Sequence, residues 1–212
     1  MADLLHIEAS PRKKRSASLE AARAFIDAYR LSHPRASIDT LDLWQVELPE
    51  FDGDAMEAKY AGLNGTPLTS PQQVAWDHIH ALAKPLHDAR TLLFSVPLWN
   101  FSIPYKLKHF IDAVSQKDVL FSFDPQVGFG GLLAGKRAVV VYARGLDYGK
   151  QSITPAQTFD HQRPYFEAWL KFVGIEDIES IVVEKTLFGP EVDAAARDAA
   201  CSAAAAMARA RP

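Results

Sequence analysis

Two short, nearly all-apolar runs constrain this chain most: Thr91-Leu92-Leu93-Phe94-Ser95-Val96 and Ala138-Val139-Val140-Val141-Tyr142-Ala143. Runs of this length and character read as buried strands. Leu4 to Ala9 reads as a first strand, Ala36 to Leu43 as a second and Ile178 to Glu184 as the last. Helical patterns fall between them. Ser18 to Leu31 places Leu19, Ala22, Phe25, Ile26 and Tyr29 on one face. Ser70 is expected to cap a helix with Pro71 in its first turn, running to about His87, with Pro85 kinking or ending the last turn. Lys106 to Val114, Tyr165 to Val173 and Glu191 to Ala210 complete the set. The alternation predicts an α/β fold of βαβ units, with a doubly wound parallel five-stranded sheet. Right-handed crossovers then bring every strand-to-helix loop to one edge. Trp44 to Thr69 reads as a long excursion with one short helix around Asp54 to Tyr60, and Asp118 to Lys136 as irregular.

A length of 212 residues, 48% of them hydrophobic, fits a single domain spanning 1–212. The net charge of -3 gives no overall attraction to nucleic acid, and lacks the heavy acidity of a docking electron carrier. The single cysteine, Cys201, excludes an internal disulfide and a multi-cysteine metal site, so no metal is expected. Apolar Leu4-Leu5-His6-Ile7 precedes the basic cluster, the reverse of a signal peptide. No apolar run approaches the ~20 residues that span a bilayer. The expectation is a soluble, cytoplasmic protein with neither membrane nor nucleic-acid partner.

Three strands end in unusual loops. Ser10-Pro11-Arg12-Lys13-Lys14-Arg15-Ser16-Ala17-Ser18 has hydroxyls at both ends and runs into a helix N-terminus, where free N–H groups suit an anion. Four consecutive basic residues raise the local potential. The same residues also fit a solvated turn in which Ser16 or Ser18 is only a cap. The loop lacks the glycines of a dinucleotide fingerprint. Gly130 to Lys136 fits G-x-x-x-x-G-K, but Arg137 replaces the needed hydroxyl and a strand follows, so it is no phosphate loop.

Leu98-Trp99-Asn100-Phe101 lies between Pro97 and Pro104, prolines that disfavour regular structure on either side. Two large rings flanking one amide suit a planar, hydrogen-bonding ligand such as a flavin; aromatics filling the core are the alternative. Ala143-Arg144-Gly145-Leu146 follows the second apolar run. Gly145 permits close backbone approach and Arg144 offers charge, although a polar turn with a surface arginine fits too. His78 and His80 read as solvated surface residues. His161 reads as either a rim proton donor or a surface residue.

Ser10 with Ser16-Ala17-Ser18, Pro97 to Pro104, Leu107-Lys108, Asp112, Gly130 to Lys136, Arg144-Gly145 and Phe188-Gly189-Pro190-Glu191 together carry a resemblance. The chain resembles the FMN-dependent NADH-azoreductase family, also described as NADH:quinone oxidoreductases. The resemblance covers nearly the whole chain, and Trp99-Asn100-Phe101 is its most specific part. It implies a flavodoxin-like three-layer sandwich, strand order 2-1-3-4-5, and a homodimer with flavins near the interface. By that resemblance Ser10, Ser16, Ala17 and Ser18 hold the FMN phosphate. Leu98, Trp99, Asn100 and Phe101 run along the isoalloxazine, and Ala143, Arg144 and Gly145 meet its pyrimidine side. Phe123 forms an aromatic wall over the flavin, on the substrate side. Ala17 offers only its N–H there, and Leu146 stands where some relatives have a second glycine.

The activity implied is ping-pong two-electron transfer from NADH through FMN N5 to quinones and azo compounds, with reductive cleavage of the azo bond. It needs no catalytic side chain, because the flavin carries the chemistry. The competing class is a non-enzymatic flavodoxin-like electron carrier or regulatory flavin-binding module. Weak net charge and length beyond a minimal five-stranded domain argue against it.

Overall fold

Strands apolar on both faces must be covered on both sides, and the helices of this chain divide to do so. The computed structural model describes residues 2–210. The first half of the chain runs β1 (Leu4–Glu8), α1 (Ala17–Ser32), β2 (Ile38–Asp42), α2 (Gly53–Asn64), α3 (Ser70–Asp88), β3 (Thr91–Pro97) and α4 (Tyr105–Val114). The second half runs β4 (Phe121–Asp124), β5 (Gly128–Gly131), β6 (Arg137–Ala143), α5 (Ala156–Phe159), α6 (Gln162–Phe172), β7 (Asp177–Val183) and α7 (Pro190–Ala210).

Five strands form one parallel sheet in the order β2-β1-β3-β6-β7, a flavodoxin-like α/β arrangement. The expected order counted five strands. The antiparallel pair β4–β5 makes a separate two-stranded sheet, so β6 and β7 occupy the fourth and fifth places. Leu5, Ile7, Phe94, Val96, Val140 and Tyr142 share one core with residues of α3, α4 and α6. Leu4, Leu93, Val139 and Val141 share the other with α1 and α7. The alanine-rich tail has a packing function here. Ala200, Ala204 and Ala208 recur every fourth residue on one buried face of α7 and belong to the same core as Ala17, Ala21 and Ala28 of α1.

Several expectations require correction. The α3 cap is Thr69, whose N–H donates to Gln72 Oε1 at 3.0 Å, and Ser70 is already helical. α3 itself runs to Asp88, one residue beyond the expected end, with Pro85 in its last turn as expected. The helix expected at Asp54 to Tyr60 extends over Gly53–Asn64 and stops where Gly65 turns left-handed at φ 67°. Asp118 to Lys136, expected to be irregular, contains the β4–β5 hairpin. One glycine contact anchors it: a Cβ on Gly131 would stand 2.2 Å from Gly174 N, so the two backbones touch just beyond α6. Leu133 N–H donating to Val173 O at 2.8 Å closes the same junction.

Among the described residues no helix is long and apolar enough to cross a membrane. Nor do they gather three or more His, Cys, Asp or Glu side chains in a group able to hold a metal ion.

Candidate functional site

All five sheet strands point the same way, so the loops after β1, β3 and β6 leave from one edge. Between β1 and β3 the connections diverge, the place where open α/β sheets form a ligand crevice.

After β1, the hydroxyls of Ser10, Ser16 and Ser18 are all buried, with residue exposures of 1%, 3% and 0%. Ser16 is the N-cap of α1: its Oγ accepts from Leu19 N–H at 3.4 Å and lies 3.1 Å from Ser18 Oγ. Ser10 Oγ accepts from Arg12 N–H at 3.4 Å. The Ala17 and Ser18 N–H groups, first in the helix, have no hydrogen-bond acceptor among the described residues. Capping and anion binding are therefore compatible uses of this loop. Its basic run is less available than the sequence suggests. Lys13–Arg15 form a 3-10 turn, and Lys13 Nζ pairs with Glu8 Oε2 at 3.0 Å and with Asp42 Oδ2.

After β3, Trp99 and Ser102 exchange two backbone hydrogen bonds of 2.9 Å. They close a two-residue turn in which Asn100 (φ 46°) and Phe101 (φ 69°) are both left-handed, as a type I′ turn demands. Asparagine tolerates that conformation; phenylalanine adopts it at a cost of roughly 1–2 kcal/mol. Pro97 does not break the strand before the turn, because it is the last residue of β3, and Pro104 opens α4. The Trp99 ring lies 5.8 Å from Trp44 and 6.2 Å from Tyr105, and Trp44 Nε1 donates to Ala9 O at 3.1 Å. The turn is thus held by rings beneath it and leaves Asn100 and Phe101 exposed. Asn100 and Trp99 line a cleft of about 670 Å³ with Phe51, Tyr105, Lys108 and His109. Phe101 O accepts from His161 N–H at 2.9 Å, which places His161 at this rim through its backbone.

After β6, Arg144 is buried and its charge faces inward, which corrects both the surface-arginine reading and the expectation of a free positive charge. Its guanidinium donates to Asp160 at 2.5 Å, Glu184 at 3.1 Å and Gln162 at 3.3 Å. Gln162 Nε2 in turn donates to Val96 O at 2.9 Å, and Leu98 N–H to Ala143 O at 2.8 Å. One network therefore joins the ends of β3, β6 and β7 to the start of α6. Gly145 packs under Leu187, where a Cβ would stand 2.6 Å from Cδ1 of that exposed side chain and would have to displace it. Leu146 O accepts from Lys185 N–H at 3.3 Å in the same pairing.

Beneath the edge, His6 Nε2 lies 2.7 Å from Ser95 Oγ. Burial drives the His6 pKa down from 6.5 to about 4, so the ring is neutral at ordinary pH. Phe123 does not join this group within one chain. It sits half-exposed on β4, its ring 5.0 Å from Phe129, in a separate cleft of about 330 Å³ with Lys59, Trp76, His80 and Phe121. His80, read from sequence as a solvated surface residue, lines that cleft.

Sequence reasoning missed Trp44 and Tyr105 under the turn, and Asp160, Gln162 and Glu184 around Arg144. A signal existed for two of them. Trp44 and Glu184 each follow a strand at the same edge as the three loops.

Residues 2–208 match the model of a family described as having a flavodoxin-like fold. FMN-dependent NADH:quinone oxidoreductase 3 of Pseudomonas fluorescens is 56% identical over 99% of this chain and 97% of its own. FMN-dependent NADH:quinone oxidoreductase 9 of Burkholderia lata is 60% identical over 89% of this chain and 90% of its own. Among solved structures, an FMN-dependent NADH-azoreductase from Bacillus anthracis in complex with FMN superposes with a TM-score of 0.84 at 26% identity. That match covers 98% of this chain and 100% of the other. The chain belongs to the flavodoxin-like family of FMN-dependent NADH:quinone oxidoreductases and azoreductases.

Proposed function

We propose that this chain is an FMN-dependent NADH:quinone oxidoreductase that also cleaves azo compounds reductively, acting as a cytoplasmic homodimer. One observation carries the reading. A helix start with buried serines, and with N–H groups that have no partner among the described residues, shares an edge with a left-handed turn that exposes an amide and a ring. The first suits a phosphate and the second a flat heterocycle, which is the composition of FMN.

Ser10, Ser16, Ala17 and Ser18 hold the phosphate, through hydroxyls and through the free N–H groups of Ala17 and Ser18. Leu98, Trp99, Asn100 and Phe101 orient the ring system, with Asn100 supplying the amide. Ala143, Arg144 and Gly145 border its pyrimidine side. The Arg144 side chain acts from behind by fixing the strand ends. Bound FMN would supply the redox chemistry, two-electron transfer from NADH at N5 in a ping-pong cycle, one cycle sufficing for a quinone and two, with two NADH, for cleavage of an azo bond to two amines. The residues of the chain bind, orient and exclude water. Phe123, Val127 and Phe129 expose apolar surface on the hairpin, with Val127 at 87%. In a homodimer that surface covers the second copy's ring, and Phe123 becomes the wall against which substrate stacks.

The test uses the purified protein. Flavin absorbance bands should persist through gel filtration, and NADH should reduce benzoquinone without another protein. A colourless protein inert towards NADH and benzoquinone would sink the proposal. A flavin-containing protein that needs a separate reductase would establish the electron-carrier alternative.

A further inference from the structure

Lys13 adopts a left-handed backbone, φ 48°, which is uncommon for any residue but glycine, asparagine or aspartate. Its ammonium lies on two carboxylates. Glu8 Oε2 lies 3.0 Å from Nζ, and Asp42 Oδ2 is in direct contact. Glu8 ends β1 and Asp42 ends β2, so both acids stand at the edge that carries the Ser10 to Ser18 loop. Each side chain is only about a fifth exposed, at 21% and 20%. Trp44 N–H donates to Asp42 Oδ1 at 3.1 Å and fixes its orientation. The backbone of Lys13 is engaged as well: its carbonyl accepts from Ser16 N–H at 3.1 Å and from Arg23 Nη2 at 3.2 Å. One residue thus joins both acids to the serine that caps α1.

Two half-buried carboxylates beside an anion site repel the anion unless something neutralises them. We infer that Lys13 is a positioning residue that covers Glu8 and Asp42, keeping their charge off the phosphate site while fixing Ser16, and does not touch the phosphate itself. The inference rests on the reading of Ser10 to Ser18 as the FMN phosphate site.

The test compares FMN with riboflavin, which lacks the phosphate, by measuring dissociation constants on flavin-depleted full-length protein. The native chain should prefer FMN strongly. Lys13→Met should cut that preference about tenfold or more while leaving riboflavin affinity unchanged. Placing Lys13→Met in a Glu8→Gln/Asp42→Asn background should restore most of the preference, because no uncovered carboxylate remains. Circular dichroism and melting temperature confirm that each variant folds. Unchanged preference in Lys13→Met overturns the inference, and so does an equal loss of FMN and riboflavin. A loss that persists in the triple variant also overturns it, since Lys13 would then contact the phosphate directly. A native chain with no preference for FMN overturns the phosphate-site reading and this inference together.

Discussion

The carboxyl edge of the sheet and the β4–β5 hairpin are built on opposite plans. At the edge, polar groups are buried and bonded to one another: Ser16 to Ser18, His6 to Ser95, and Arg144 to Asp160, Gln162 and Glu184. On the hairpin, apolar groups are exposed, and Phe121 and Phe129 are anchored by rings packed on Phe172 at 4.9 and 5.5 Å. A buried polar network fixes positions because each broken bond is costly. An exposed apolar hairpin fixes little by itself and gains by being covered. The side-chain network of the edge therefore closes within one chain, whereas the hairpin leaves apolar side chains exposed.

The sharpest way to break the edge is Arg144→Met. It leaves Asp160 and Glu184 with carboxylates that have lost their cation, one of them buried. Removing one partner of a buried ion pair costs about 3–5 kcal/mol. Urea denaturation should show a loss of that order, and flavin should be retained poorly because the ends of β3, β6 and β7 lose their common tie. Full stability in this variant would mean that the network is incidental.

Acid should act on the same region through His6. Its folded pKa of about 4 lies below the usual 6.5, so the neutral ring is the form the fold favours. The associated stability is complete above pH 6.5 and is lost as pH falls from 6.5 towards 4, a window worth about 3 kcal/mol. His6→Gln can still bond Ser95 and cannot titrate. It should flatten the dependence of unfolding free energy on pH between those limits relative to the native chain, and parallel curves would assign the acid sensitivity elsewhere.

The difference between the two regions also explains what the sequence revealed. β3 and β6 were legible because both their faces are apolar, and the alternation with helices then implied the parallel sheet. The hairpin was not, because β5 reads Gly128-Phe129-Gly130-Gly131, a composition depleted in strands. It packs on Phe172 and Gly174, far along the chain, and no local pattern records those contacts. The same distance hid the state of Arg144. Its position in a loop was readable, but its burial depends on Glu184, forty residues away. Ser16 as cap was readable from local chemistry alone. The left-handed Phe101 was not, since nothing in a phenylalanine asks for that turn.

Gly131→Ala tests whether the hairpin is a separable unit. The new Cβ meets backbone atoms of Val173 and Gly174 at 2.2 Å, so the junction must shift at a cost of about 2 kcal/mol. Amide exchange should accelerate in Phe121–Asp124 and Gly128–Gly131 while β1 and β3 keep their protection. Acceleration spread evenly through the sheet would show that hairpin and edge unfold as one body.

The smallest expected effect concerns the one buried side chain near the edge that breaks its pattern. Tyr142 is fully buried in β6, and its hydroxyl has no hydrogen-bond partner among the described residues. Burial holds its pKa well above the ordinary phenol value, so it stays protonated and contributes no charge to the network. Its ring lies 5.9 Å from the Arg144 guanidinium, a contact that phenylalanine preserves. Tyr142→Phe removes only an unsatisfied hydroxyl and should raise the unfolding free energy by about 1 kcal/mol. A loss of stability would reveal a partner for that hydroxyl, and the pairing seen in the side chains of His6, Ser95 and Arg144 would then extend to Tyr142 as well.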